Sequence, residues 1–184
     1  MFTRCTRMLG ATRSRSTLRE IKVNVDGSKT KTFDLEFLYK DKDCVVGKWT
    51  ANEDSYGLEK GSYSYGVWFF GKCWTAYRIH RPCGELVKYR FDACEYPEFS
   101  NDDGDVPEIL FRDLLLDVNV YITEKETLRI QFEDRDEVDA SLNTLDQNQI
   151  ILINRFTDVF ENRPEDPISH VNSAIERAAV EPPE

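Results

Sequence analysis

Residues 113–120, Asp113-Leu-Leu-Leu-Asp-Val-Asn-Val120, alternate between two kinds of side chain. Successive side chains of a β-strand point to opposite faces, so every second residue shares a face. One face is apolar and is made of Leu114, Leu116, Val118 and Val120. The other face carries both carboxylates and is made of Asp113, Leu115, Asp117 and Asn119. This pattern predicts a strand that packs one face on a core and presents acids on the other.

The two carboxylates of this strand, Asp113 and Asp117, are four residues apart. In an extended strand that spacing is roughly 13 Å, at ~3.3 Å per residue. One metal ion would not bridge such a distance, whereas two ions, or one ion at a bend in the strand, would.

The segments on both sides of residues 113–120 are also alternating and short, and turn residues such as Asp26-Gly27 and Gly71-Lys72 separate them. Alternation with a period of two is typical of half-buried strands. Many short strands with turns at this spacing predict a small antiparallel barrel or sandwich. The predicted strands cover residues 21–25, 33–37, 44–50, 65–70, 74–79, 85–91, 111–122 and 127–132.

The apolar period becomes helical after residue 142, where Leu145, Leu152, Phe156, Val159 and Phe160 recur. This spacing predicts a helix over 143–161 that Pro164 ends, and a second helix over 167–180. The sequence therefore predicts a β-rich α+β fold. Residues 21–142 form a small antiparallel β-barrel, and residues 143–184 supply one or two C-terminal helices and a tail.

Residues 1–20 differ from the rest of the chain, because they hold five Arg, several Ser and Thr, and one acid, Glu20. This composition is typical of a mitochondrial transit peptide. The alternative interpretation is a disordered basic tail. A transit peptide predicts location in the mitochondrial matrix, and a tail leaves the cytoplasm as the alternative.

Net charge and cysteine usage restrict the function classes. The net charge is −10, and an acidic protein repels phosphate polymers in general. It binds a nucleotide more readily if metal ions supply positive charge. The five Cys form no C-x-x-C pair, so neither a zinc site nor a disulfide framework is indicated. No stretch approaches the ~20 apolar residues of a spanning helix, so no membrane span is expected.

Further acids accompany the strand at 113–120: the run at 133–137, and Asp92 at the end of an earlier predicted strand. Hard divalent cations prefer clustered carboxylate oxygens. Bound cations clamp phosphoryl oxygens and activate water. The alternative is that these acids only solvate the ends of strands, since the chain holds 34 Asp and Glu.

Four motifs in order resemble the domain-of-unknown-function 402 family, across residues 65–139. They are the aromatic hairpin GVWFFGKCWTAYRI, the stretch KYRFDACEYPE, the central strand RDLLLDVNV, and DRDE. The family includes bacterial nucleoside tri- and diphosphatases and the cytidylyl-phosphonate hydrolase of fosfomycin biosynthesis. The resemblance implies a small antiparallel barrel that uses Mg²⁺ or Mn²⁺ to hydrolyse phosphate anhydrides in nucleotides.

The resemblance also implies roles for single residues. It makes five acids the metal ligands: Asp92, Asp113, Asp117, Asp136 and Glu137. It implies that Asp136 and Lys72 take part in catalysis, and that Lys72 and Tyr89 bind the substrate.

Leu115 departs from the family pattern, which has D-x-D-x-D where this chain has Asp113, Leu115 and Asp117. Leucine neither coordinates nor neutralises a cation. The domain then works with one metal ion, recruits Asp92 or an acid of the 102–105 loop, or has lost activity. In the last case we expect a binding subunit of a mitochondrial complex, with RNA as a potential partner that the acidic body disfavours.

Overall fold

The computed structural model describes residues 16–54, 57–101 and 106–180. Within these ranges the chain forms nine strands and three helices. The strands are β1 Thr17–Val23, β2 Lys29–Lys40, β3 Cys44–Thr50, β4 Tyr63–Phe69, β5 Trp74–His80, β6 Leu86–Cys94, β7 Glu98–Ser100, β8 Glu108–Ile122 and β9 Leu128–Glu133. The helices are α1 Arg135–Ser141, α2 Gln147–Asn162 and α3 Glu165–Val180. Residues 1–15 of the predicted leader and the acids at 102–105 lie outside the described residues.

Seven strands close into a barrel in the order β1-β2-β3-β4-β5-β6-β8. Neighbours along this path are antiparallel. The closing pair, β1 and β8, is parallel. β7 and β9 both pair with β8 outside the closed path. The predicted β-rich barrel followed by helices is confirmed, and its parallel closure makes the barrel mixed.

The barrel interior contains one of two hydrophobic clusters. This inner core cluster consists of Leu18, Leu35, Val45, Trp68, Cys94, Ile109 and Phe111. Trp68 is fully buried, and its ring covers the backbone of Gly66. A β-carbon on Gly66 would lie 2.4 Å from Trp68 Cη2. The indole ring therefore requires glycine at position 66.

The second cluster lies on the outer face of the barrel, beneath α2 and α3. This outer core cluster includes Val67, Phe91, Val118, Val120, Phe156, Phe160 and Val171. The rings of Phe91 and Phe160 lie 4.7 Å apart between centroids, which joins β6 to α2. One face of the sheet packs inside the barrel and the other packs under the helices. Consecutive strand residues, which point to opposite faces, can therefore both be buried.

The helices and the first strand differ in detail from the sequence predictions. α2 and α3 match the helices predicted at 143–161 and 167–180, and a capping box between Asp146 and Gln149 begins α2. α1 was not predicted; it follows Asp134, whose φ of 63° is left-handed. β1 begins at Thr17 rather than at Ile21.

None of the helices in the described part of the chain combines the length and apolar character needed to cross a membrane.

Candidate functional site

β8 contains a bulge in the middle of the stretch 113–120. Asp117 pairs with Asp92 of β6, while Asp113 pairs with Cys94. Asp113 and Asp117 are thus four positions apart in β8, whereas their partners Cys94 and Asp92 are only two positions apart in β6. Leu115 lies inside the bulge with a φ of 72°, a conformation that costs energy for most non-glycine residues. The bulge bends the strand, and Asp113 and Asp117 therefore lie much closer than the ~13 Å expected of an extended strand.

β8 also changes its second partner at the bulge. β1 pairs with Glu108–Arg112 of β8, whereas β9 pairs with Asp117–Ile122. Within the described part of the chain, residues 113–116 of β8 therefore pair with neither β1 nor β9. The carboxylates of Asp113 and Asp117 stand at the two edges of this gap in the barrel wall.

Three carboxylates meet at the gap: Asp92, Asp113 and Asp117 each offer an oxygen within 4.8 Å of the others. Asp92 and Asp117 are buried, and Asp113 is half-buried. We call these three residues the acid cluster. Its members come from the two neighbouring strands β6 and β8, so only the folded barrel assembles it.

Among the residues that the structure describes, Lys22 and Arg90 form ion pairs with the acid cluster. Lys22 Nζ lies 2.9 Å from Asp113 Oδ2 and 3.1 Å from Asp92 Oδ2. Arg90 Nε donates to Asp92 Oδ1 at 2.7 Å, and Arg90 Nη2 donates to Asp117 Oδ2 at 2.5 Å. Each cation bridges two carboxylates, so Asp92 is contacted by both.

The pKa values of the three acids show that the positive charges of Lys22 and Arg90 do not fully compensate the negative charge of the acid cluster. Burial and the charge of Asp92 raise the pKa of Asp117 to about 8, against the opposing effect of Arg90. Burial also raises the pKa of Asp113. For Asp92, burial is outweighed by Lys22 and Arg90, which hold its pKa below the usual value. Added positive charge would therefore stabilise the ionised form of Asp117.

Lys22 and Arg90 stay charged in this environment. Burial lowers the pKa of Lys22, but Asp92 and Asp113 outweigh burial and raise it. Burial acts in the same way on Arg90, and Asp92 and Asp117 raise its pKa. Both side chains are thus permanent counterions of the acid cluster at neutral pH.

The acid cluster fits one divalent cation. Its donors are hard carboxylate oxygens, which Mg²⁺ and Mn²⁺ prefer. Asp113 Oδ1 is buried without a hydrogen-bond partner among the described residues, as are both amide atoms of Asn119 and the hydroxyl of Thr75. Thr75 and Asn119 pair with Asp92 and Arg90 respectively on neighbouring strands. Such unpaired polar atoms are expected where an ion or its waters bind.

Glu20 and Tyr77 lie beside the acid cluster inside the barrel. The Tyr77 hydroxyl donates a short hydrogen bond to Glu20 Oε1, and Glu20 is only 4% exposed. Burial raises the pKa of Glu20 to about 7, although the hydrogen bond from Tyr77 acts in the opposite direction. Both residues line a cavity of about 220 Å³, which Lys22, Arg90 and Asp92 also line.

The structure brings three of the five predicted metal ligands together: Asp92, Asp113 and Asp117. It does not bring the other two into that group. Asp136 and Glu137 are exposed in the first turn of α1. That turn follows Glu133, which pairs with Asp117 across β9 and β8, so the DRDE motif adjoins the gap through the backbone.

The two predicted substrate-binding residues lie apart from the acid cluster. Lys72 is exposed in the β4–β5 turn. It lines a cleft of about 330 Å³ against α2 and α3, and no member of the acid cluster lines that cleft. Tyr89 is 2% exposed in the outer core cluster, and its hydroxyl donates to Asn172 Oδ1 at 2.9 Å.

Lys22, Arg90 and Glu20 were missed by the sequence reasoning. Lys22 and Arg90 alternate with apolar residues, a pattern that also describes a solvent-facing side of a strand. Glu20 falls in the segment assigned to the leader, although it belongs to β1. The one available signal was the spacing of Arg90 and Asp92, which places opposite charges on the same face of a strand.

Comparisons with known proteins give a fold and no family. No family model matches the chain, and no curated protein sequence matches it significantly. Membership of the domain-of-unknown-function 402 family therefore stays a prediction.

Two solved structures share the fold at low sequence identity. One is FomD in complex with CDP, with a TM-score of 0.59 and 7% identity over 79% of this chain and 82% of that chain. The other is the phosphatase SC4828 with the non-hydrolyzable nucleotide GPCP, with a TM-score of 0.58 and 12% identity over 90% of this chain and 82% of that chain.

Proposed function

We propose that this chain is a metal-dependent hydrolase of phosphate anhydrides in nucleoside di- or triphosphates or related nucleotides. The observation that carries the proposal is the acid cluster, three carboxylates with oxygens within 4.8 Å at a gap in the barrel wall. The two proteins with the same fold support it, since one was solved with CDP and the other is a phosphatase solved with a nucleotide.

Asp92, Asp113 and Asp117 would hold one Mg²⁺ or Mn²⁺ ion. Such an ion polarises phosphoryl oxygens and lowers the pKa of a bound water. Nucleotide phosphates and the acid cluster repel each other, so binding requires added positive charge. Lys22 and Arg90 supply part of that charge, because both line the cavity that opens beside the cluster.

The chain provides for one ion rather than two. Position 115 offers a leucine in place of a third acid on β8, and Leu115 packs against the outer core cluster. Lys22 Nζ already lies between Asp92 and Asp113, so an ion that binds these two carboxylates would have to displace the ammonium group.

A second candidate function follows from the same ion pairs. Lys22 and Arg90 already pair with all three carboxylates, so the folded barrel does not depend on a metal. This arrangement favours a barrel without catalytic activity that serves as a binding subunit, in a mitochondrial complex if the basic segment that precedes β1 acts as a transit peptide.

The test is phosphate release by the purified chain from nucleoside di- and triphosphates. We expect release with Mn²⁺ or Mg²⁺ and none with EDTA. We expect at least ~100-fold less release for Asp117→Asn, since mutation of a mere outer-shell partner of a metal ligand typically costs about 10–100-fold in metal affinity or activity. Asp139→Asn, at an exposed position of α1, is the matched control and should retain activity. Asp136→Asn tests whether the DRDE motif contributes.

Two results would overturn the hydrolase proposal. One is no release of phosphate with any divalent ion. The other is release that persists in EDTA and in Asp117→Asn. A chain that is inactive yet purifies from mitochondria in a stable large complex would instead establish the second candidate.

A further inference from the structure

The cavity inside the barrel has a mostly apolar wall, which also includes Glu20, Lys31 and Ser64, and a charged end. Its volume is about 220 Å³, and its lining comes mostly from β1 to β6. Three aromatic residues form part of the wall: Phe33, Trp49 and Tyr77. All three are half-buried, so each keeps ring surface available to a ligand.

The charged end of the cavity coincides with the acid cluster. Lys22, Arg90 and Asp92 line the cavity, and all three belong to the ion-pair network around Asp113 and Asp117. A ligand in the cavity would therefore place one end against apolar rings and the other beside the carboxylates.

The volume restricts what can enter. Pockets that enclose drug-sized ligands measure roughly 300–1,000 Å³, so this cavity accepts one ring system rather than a whole nucleotide. A purely polar ligand such as pyrophosphate would leave Phe33, Trp49 and the aliphatic wall without a partner. A planar ring would stack on them, and stacking tolerates any base because every base has a π face.

Tyr77 and Glu20 make the wall rigid. The phenol of Tyr77 is fixed by its hydrogen bond to the buried Glu20. The rings of Trp68 and Tyr77 also pack in a T-shaped arrangement at 6.2 Å between centroids. A ring held by two fixed contacts loses little freedom when a ligand stacks on it, which favours binding.

We propose that this cavity binds the heteroaromatic base of a nucleotide, with the attached phosphates directed to the acid cluster. The inference rests on the proposed function for the identity of the ligand as a nucleotide. It assigns to Phe33, Trp49 and Tyr77 the role of the base-binding wall.

The test uses nucleosides, which lack phosphates and cannot be hydrolysed as anhydrides. The full chain in EDTA is titrated with adenosine, guanosine, cytidine and uridine, and binding is followed by tryptophan fluorescence and by calorimetry. Of the three tryptophans, Trp68 and Trp74 are buried in the cores and Trp49 faces the cavity. We expect at least one nucleoside to quench the emission in a saturable way.

Substitutions then locate the site. Trp49→Ala should weaken nucleoside binding by about 10-fold or more, the size expected for loss of one stacking partner. Trp49→Phe keeps an aromatic ring and should retain most of the affinity. Tyr96→Ala removes an exposed aromatic residue outside the cavity and is the matched control. Phe33→Ala provides a second test from another strand if Trp49→Ala does not fold.

The result that overturns the inference is no nucleoside binding at millimolar concentration by a folded chain. Binding that Trp49→Ala and Phe33→Ala leave unchanged overturns it as well. Because metal and phosphate are absent from the assay, the outcome is separate from that of the hydrolase test. A chain that binds nucleosides but releases no phosphate retains the base site and loses the proposed hydrolase function.

Discussion

Lys22 Nζ lies 2.9 Å from Asp113 Oδ2, which joins the end of β1 to the edge of the bulge in β8. The same nitrogen lies 3.1 Å from Asp92 Oδ2. One ammonium group therefore occupies the position between two carboxylates where a cation would bind. Lys22 and a divalent ion are expected to compete for the acid cluster.

Replacing Lys22 with methionine should make stability depend on metal. Removal of one partner from a buried ion pair leaves uncompensated charge and typically costs about 3 kcal/mol. In EDTA, Lys22→Met should therefore unfold at a lower urea concentration than the wild type. Mn²⁺ should restore much of the loss, because binding to the folded state alone stabilises it. Urea denaturation with and without Mn²⁺ measures both effects.

Lys125→Met is the control for the Lys22 variant, since Lys125 is exposed in the β8–β9 turn. It should change neither the stability nor the Mn²⁺ response. If Mn²⁺ stabilised the wild type and Lys22→Met to the same extent, competition between Lys22 and metal would be wrong.

Leu115→Asp should not create a second metal site. Leu115 packs against the outer core cluster, so a carboxylate there would meet apolar side chains rather than the acid cluster. Asp and Asn both tolerate a left-handed backbone better than Leu, so the loss of stability, about 1–2 kcal/mol, should come from packing and burial of a polar group. Calorimetry should give one Mn²⁺ per chain for Leu115→Asp and for its uncharged match, Leu115→Asn. Two ions in the aspartate variant alone would contradict the placement of Leu115.

Glu20→Gln should change how stability depends on pH. The pKa of Glu20 is raised from 4.5 to about 7 in the folded chain, so the folded state holds a proton that the unfolded state releases. Below the pKa of Glu20 in the unfolded chain, the protonated side chain makes its full contribution to the free energy of unfolding. This contribution decreases by up to about 3 kcal/mol as the pH rises to about 7. Glutamine keeps an oxygen that accepts from Tyr77 and does not titrate. Between pH ~4.5 and ~7 the wild type should therefore lose stability relative to Glu20→Gln.

Glu98→Gln, at an exposed position of β7, supplies the comparison for the pH series. Its stability curve should run parallel to that of the wild type. A Glu20→Gln curve that is also parallel to the wild type would show that Glu20 has no raised pKa.

Tyr89→Phe should lower stability rather than nucleotide affinity. The Tyr89 hydroxyl donates to Asn172 and is buried between β6 and α3. A lost buried hydrogen bond costs about 1 kcal/mol. Urea denaturation measures that loss, and calorimetry with a nucleotide measures affinity. Reduced affinity with unchanged stability would instead support the predicted role of Tyr89 in substrate binding.

Residues 113–120 show which features of a strand the local sequence pattern predicts and which it does not. The apolar face was predicted, and Leu114, Leu116, Val118 and Val120 are all buried. The bulge was not predicted, because a run of three leucines has no glycine or proline that signals one. Closure of the barrel decides the bulge instead, since β8 must leave β1 and join β9 at this point.

The acid cluster was predicted only in part, because it depends on contacts between strands that are distant in sequence. Residue type and position in strands made Asp92, Asp113 and Asp117 candidates, and the resemblance to the domain-of-unknown-function 402 family implied their role as ligands. Their two counterions were not, because Lys22 comes from β1 and meets them only when the parallel pair β1–β8 forms. A lysine that alternates with apolar residues looks the same in sequence whether it faces water or the inside of a barrel.

The sequence by itself determined every strand of the described residues except β7, the two long helices, a barrel or sandwich architecture and the carboxylates that stand on strands. These are local properties, since they follow from the periodicity of neighbouring residues. Only the tertiary structure decided that Leu115 turns away from the acid cluster and that Lys22 and Arg90 occupy it. Charges compensate each other over a few ångströms of space, and only strand register and barrel closure bring residues 22, 90, 92, 113 and 117 within that distance.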